Sequence, residues 1–145
     1  MLRWLDDTFA VSPQISPGDV VLLKRDGVSH LICNRPDHEE HGQPTVDDIR
    51  NVANAQGVPL DHIPVGVEGV TLPIVKRFRA VMDQATPKVV AYCRTGTRCT
   101  ILWAMASAID HDPKDLIAKA ADQGYEIGHL AGMLQTLNDM GGFPD

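Results

Sequence analysis

Cys93-Arg94-Thr95-Gly96-Thr97-Arg98 is the stretch of this chain best equipped for chemistry. A thiol follows the apolar run Lys88 to Tyr92 (KVVAY), and two guanidiniums flank a glycine just beyond it. The backbone N–H groups that open a helix have no partner within that helix. Gly96 lets such groups curl into a nest for an anion. The helix dipole, Arg94 and Arg98 bring positive charge to the same place. A cysteine held there is a thiolate, because helix N-termini and arginines lower its pKa from about 8.5 to roughly 3.5–7.5. Arg98 can grip an oxyanion with two parallel N–H groups. Cys93 is therefore a candidate nucleophile. Arg94, Thr95, Gly96, Thr97 and Arg98 form a candidate cradle for a small anionic or phosphorylated substrate.

The elements that must position this segment alternate between short apolar runs and amphipathic ones. Thr8 to Ser12 reads as an edge strand ended by Pro13. Ser16 and Pro17 open a helix that stops at Gly27. Ser29 to Asn34 (SHLICN) reads as a buried strand running into the polar loop Arg35 to Gln43. Thr45 caps a second helix, with Asp48 three residues on completing a capping box. Val58 to Val65 makes a third strand, and Thr71 with Pro73 opens a long helix. KVVAY is a continuous apolar run, as in a central strand covered on both faces. The helix after it, about Cys99 to Ile109, is apolar almost all round and so belongs inside the molecule. Asp115 to Gln123 and Gly128 to Met140 are two further helical runs. Strands alternating with helices predict an α/β fold, a three-layer sandwich whose mostly parallel sheet carries helices on both faces. Ligands of such sheets bind at the carboxyl ends of the strands, which is where Cys93 falls.

Composition narrows the function classes. A chain of 145 residues fits one domain, residues 1–145 with a core at about 6–140. Thirteen basic against nineteen acidic residues give a net charge of −6, which argues against a nucleic-acid partner. No apolar run is long enough for a membrane helix, and the first residues lack a signal peptide's apolar stretch. The expected compartment is the cytoplasm. Three cysteines without a CxxC pair agree with a reducing environment. Oligomeric state is left open by the sequence.

YCRTGTRC, with the upstream segments HLICNRPDHEEHGQP and HIPVGVEGVT, resembles the phosphatase-like domain of the beta-lactamase hydrolase-like protein family. That family is similar in fold to the dual-specificity and tyrosine phosphatases, and the resemblance covers about residues 6 to 140. It implies a cysteinyl-phosphate mechanism, with Cys93 as nucleophile, residues 93–98 as phosphate loop and Arg98 as transition-state clamp. No metal or organic cofactor is expected to be required, since the nest and arginine replace a cation. The loop departs from the tyrosine-phosphatase pattern: four residues, not five, separate cysteine from arginine. Cys99 stands where Ser or Thr is usual, and Tyr92 where His is usual. The same C-x4-R loop is similar to that of rhodanese-like sulfurtransferases, which carry a persulfide on the cysteine. A phosphate- or sulfate-binding module without turnover is a third reading.

Ester hydrolysis calls for a general acid. Asp37, in NRPDHEEHG, is the first candidate and Glu68, in PVGVEGV, the second. Sulfur transfer needs neither. The cluster Asp37-His38-Glu39-Glu40-His41 lacks the spacing that puts two imidazoles on one helix face, and reads as a solvated acidic loop bordering the pocket. His62 reads as a hydrogen-bonded core histidine. Cys33 ends the strand expected beside KVVAY, and adjacent strands bring Cα atoms within disulfide range. Cys33 is thus a candidate redox partner for Cys93, with Cys99 as its competitor, and some phosphatases of the resembling fold protect their nucleophile in this way.

Overall fold

The computed structural model describes residues 2–144. Five strands, β1 (Arg3–Trp4), β2 (Phe9–Ser12), β3 (His30–Cys33), β4 (Leu60–His62) and β5 (Val89–Tyr92), form one sheet in the order β1-β2-β5-β3-β4. All neighbours are parallel except β1 with β2. Six α-helices, α1 (Pro17–Arg25), α2 (Val46–Ala55), α3 (Leu72–Gln84), α4 (Thr97–Ser107), α5 (Pro113–Asp122) and α6 (Ala131–Met140), and a 3-10 turn at Gly128–Leu130 complete the described chain.

Strand periodicity divides the core into two layers. Val11, Ile32, Val89, Ala91 and Cys93 face one side of the sheet, where α3, α4, α5 and α6 supply Phe78, Trp103, Leu116 and Leu134. Ala10, Leu31, Cys33, Val90 and Tyr92 face the other, against Val20 and Leu23 of α1 and Ile49 and Ala53 of α2. The result is the three-layer sandwich the sequence predicts. β5 lies between β2 and β3 with all four residues buried, as expected of a central strand. No helix of the described residues is long and apolar enough to cross a membrane.

Local signals in the sequence account for the helix starts. Ser16 accepts from the Asp19 amide while Asp19 accepts from the Ser16 amide, and Thr45 and Asp48 repeat that exchange at α2. Eight of the eleven residues of α4 are buried, in keeping with a helix apolar all round.

Three expectations need correction. Thr8 to Ser12 is not an edge: the two-residue β1 covers β2, and Lys88 lies over the Trp4 ring beyond it. Val58 to Val65 shrinks to the three residues of β4, flanked by Pro59 and Pro64, whose nitrogens cannot join a ladder. Helix α4 starts at Thr97, so Thr97 and Arg98 already belong to its first turn.

Candidate active site

The loop from Cys93 to Gly96 joins β5 to α4. Gly96 caps the helix in the left-handed region, φ +94°, and a Cβ there would overlap the Tyr125 hydroxyl. Both constraints require glycine. Tyr125, between α5 and α6, also donates to the Thr95 carbonyl at 2.9 Å and so pins the crest of the loop. The Thr95 hydroxyl donates to that of Thr97 at 3.1 Å.

Cys93 is buried beneath this loop, and the Gly96 amide donates to its sulfur at 3.1 Å. Hydrogen bonding from the Cys99 thiol lowers its pKa most. The amides of Cys99, Thr95 and Gly96 add to that effect, and together they outweigh burial and hold the group near 5. Cys99, one residue past Arg98, thus does the work that a hydroxyl would do there. Its own thiol is pushed far up by complete burial, so it stays protonated as a donor. Burial also raises Cys33. All three thiols are buried, so their reactivities separate by thiolate fraction. Iodoacetamide at pH 6 is expected to modify Cys93 ahead of Cys33 and Cys99, with a rate that falls as pH drops through about 5. Peptide mapping reads the order; equal labelling of all three would contradict an activated thiolate.

Arg98 points from the first turn of α4 toward the loop after β3. Its Nη1 donates to the Val65 carbonyl at 2.8 Å and to Glu39 Oε2 at 2.7 Å, while Nη2 donates to Glu39 Oε1 at 2.7 Å. The fork the sequence reserves for an oxyanion is thus filled by the chain's own carboxylate. Arg98, with Arg35 helping, holds Glu39 at a pKa of about 2. Arg94 is mostly exposed and donates to Glu40 Oε2 at 2.9 Å.

The acidic loop therefore borders the pocket as expected, but its glutamates are paired with arginines. Asp37 is engaged at the start of α2, where its Oδ1 accepts from the Val46 amide at 2.8 Å. Glu68 is exposed on the loop after β4. His62 is hydrogen-bonded as predicted, donating from Nε2 to the Arg35 carbonyl at 3.0 Å.

Cys33 pairs in register with Tyr92, so Cys93, one residue later, faces the opposite side of the sheet. The Cys33 thiol donates to the Arg35 carbonyl at 3.4 Å. The thiol placed against Cys93 is that of Cys99. This register works against the Cys33–Cys93 disulfide, because adjacency of strands brings Cα atoms together without aiming the side chains at each other.

Sequence alone leaves Arg35 and Glu39 in a polar loop beside the pocket without a role at the site, and Tyr125 without any. The i,i+4 spacing of Arg35 and Glu39 on a loop at the carboxyl end of a strand is a faint signal for the first two. For Tyr125, thirty residues beyond Thr95, there is none.

Comparison with known proteins agrees with this fold. A beta-lactamase hydrolase-like protein of Agrobacterium fabrum is 34% identical over 103 residues, 71% of this chain and 23% of its own length. A crystal structure of a candidate phosphatase from Neisseria meningitidis superposes with a TM-score of 0.81 at 34% identity, over 92% of this chain and 96% of that one. Kinase associated phosphatase, with its catalytic-site cysteine replaced by serine, shares the fold at a TM-score of 0.71 and 14% identity, over 91% of this chain and 86% of that one. The chain spans about a quarter to a third of the curated relatives it matches, 23% of one and 31% of two others. The family model for the beta-lactamase hydrolase-like protein, phosphatase-like domain, matches residues 1–110. The chain belongs to that phosphatase-like family.

Proposed function

We propose that the chain is a cysteine-dependent hydrolase of phosphate esters that works through a cysteinyl-phosphate on Cys93. One observation carries the reading: a buried thiol with a pKa near 5, hydrogen-bonded by loop amides and set at the start of α4 with Arg98. The thiolate attacks phosphorus as the ester P–O bond breaks. Amides of the 94–98 segment and Arg98 hold the non-bridging oxygens, in place of a cation. Water then attacks phosphorus, the P–S bond breaks, and inorganic phosphate leaves with Cys93 again a thiolate.

The departing oxygen sets the substrate range. Asp37 accepts a hydrogen bond from the α2 N-terminus, and Glu39 and Glu40 are bound to arginines. Aryl phosphates, whose phenolate leaves without a proton, are the substrates such a site handles best. Asp37→Ala, which removes the acceptor, is expected to lower thermal stability, with roughly 1 kcal/mol at stake for a helix-end acceptor, while kcat on an aryl phosphate falls less than about tenfold. A fall of 10²-fold or more, the low end of what a general acid contributes, would instead make Asp37 that acid.

Residues 1–145 are proposed as one phosphatase-like domain, because α5 and α6 pack with α4 in the core that holds Cys93. Its three free cysteines suit the cytoplasm. Parallel assays with an aryl phosphate and with thiosulfate plus cyanide test the reaction class. Phosphate release that needs Cys93 supports the proposal. Thiocyanate that needs Cys93 replaces it with persulfide transfer, which the C-x4-R loop also fits. Sulfate binding with neither product leaves an anion-binding module.

A further inference from the structure

We infer that Arg35 completes a second oxyanion subsite beside the phosphate loop, so that the preferred substrate is a phosphate ester bearing a neighbouring phosphoryl or carboxylate group. The inference rests on the phosphatase reading above and names the substrate class within it.

Arg35 is only 2% exposed, at the carboxyl end of β3. Its guanidinium spans the two carboxylates that lie over the loop. Nε donates to Glu39 Oε1 at 3.0 Å, the same oxygen that Arg98 Nη2 reaches at 2.7 Å. Nη1 donates to Gln14 Oε1 at 3.1 Å. Nη2 has no hydrogen-bond partner among the described residues; Glu40 Oε1 lies 3.6 Å away, too far for a bond. Glu40 in turn holds Arg94 through its other oxygen at 2.9 Å. Three guanidiniums, Arg35, Arg94 and Arg98, thus converge on two carboxylates. The central one is buried with an unsatisfied donor, a costly arrangement unless something else fills it.

The backbone of Arg35 is held from several sides. Its carbonyl accepts from His62 Nε2 at 3.0 Å and from the Cys33 thiol at 3.4 Å. The flanking Asn34 donates through its amide to Tyr92 O at 2.8 Å and through its side chain to Ile63 O at 2.8 Å. The guanidinium is therefore preorganised by the sheet. Glu40, by contrast, keeps a side chain 52% exposed and can swing into solvent. Glu39 and Glu40 stand where substrate oxyanions bind. One oxyanion is the phosphoryl held by Arg98, and its neighbour lies between Arg35 and Arg94 with an oxygen on Nη2, where Glu40 Oε1 now stands at ion-pair distance, 3.6 Å.

Calorimetric titration of the full chain carrying Cys93→Ser tests this without turnover, using inorganic phosphate, pyrophosphate and phosphonoacetate. Pyrophosphate or phosphonoacetate should bind at least about tenfold tighter than phosphate, the scale of one charge-assisted hydrogen bond. Whichever binds tighter identifies the second group as phosphoryl or carboxylate. Adding Arg35→Met should bring that ratio towards one. Glu40→Gln, an exposed change that leaves the buried arginine in place, should raise it at least about threefold. Double anions no tighter than phosphate, a ratio that survives Arg35→Met, or a ratio unmoved by Glu40→Gln would each overturn the subsite and leave the phosphate loop standing. Binding of none of the three would overturn both.

Discussion

Cys93→Ser is expected to abolish phosphate-ester turnover, a fall of roughly 10⁴-fold or more, the scale on which a lost nucleophile acts. The reason lies in the loop. A thiol ionises there because Cys99 and three amides stabilise its anion near pH 5. A serine hydroxyl starts so far above neutrality that the same donors leave it protonated and unreactive. The fold should survive, since oxygen in place of sulfur is a small change at a site lined by hydrogen-bond donors. A cooperative thermal melt and unchanged circular dichroism check that. Residual activity within about tenfold of the parent would mean that another group attacks phosphorus.

Arg98→Lys should cost roughly 10²–10³ in kcat, the loss expected when a preorganised oxyanion donor goes. Lysine keeps the charge but not the planar fork, and Arg98 now uses that fork on both oxygens of Glu39 while Nη1 also reaches the Val65 carbonyl. An ammonium cannot hold that geometry. Arg94→Lys should cost much less on an aryl monophosphate, because the Arg94 side chain lies 60% exposed and pairs with Glu40 at the rim. Steady-state kinetics on both variants read the contrast. Equal losses would show that the clamp is misassigned.

Local rules made part of this fold legible. The Ser16–Asp19 and Thr45–Asp48 boxes, the central run Val89–Tyr92 and the buried helix α4 each follow from a few adjacent residues. The same rules placed Cys93, Gly96 and Arg98 at one turn. Tertiary pairing was not legible. Two residues, Arg3 and Trp4, suffice to cover β2, and so short a strand leaves no periodic pattern. Tyr125 reaches the loop across thirty residues because α5 turns back on α4, and nothing near position 125 encodes that. Glu39 looks like any solvated acid until the fold puts it on Arg98. Strand order makes Cys33 a neighbour of Cys93, but side-chain alternation turns the two thiols to opposite faces, and the first turn of α4 brings Cys99 to Cys93 instead.

The thiolate and the arginine make one claim together: phosphorus becomes bonded to Cys93 during turnover. Rapid acid quench of the protein mixed with an aryl phosphate, followed by peptide mass spectrometry, tests it directly. The account predicts a phosphoryl adduct on the peptide that carries Cys93, formed within the first turnover and absent in Cys93→Ser. Steady release of phosphate with Cys93 never modified, or an adduct on Cys33 or Cys99 instead, would contradict it.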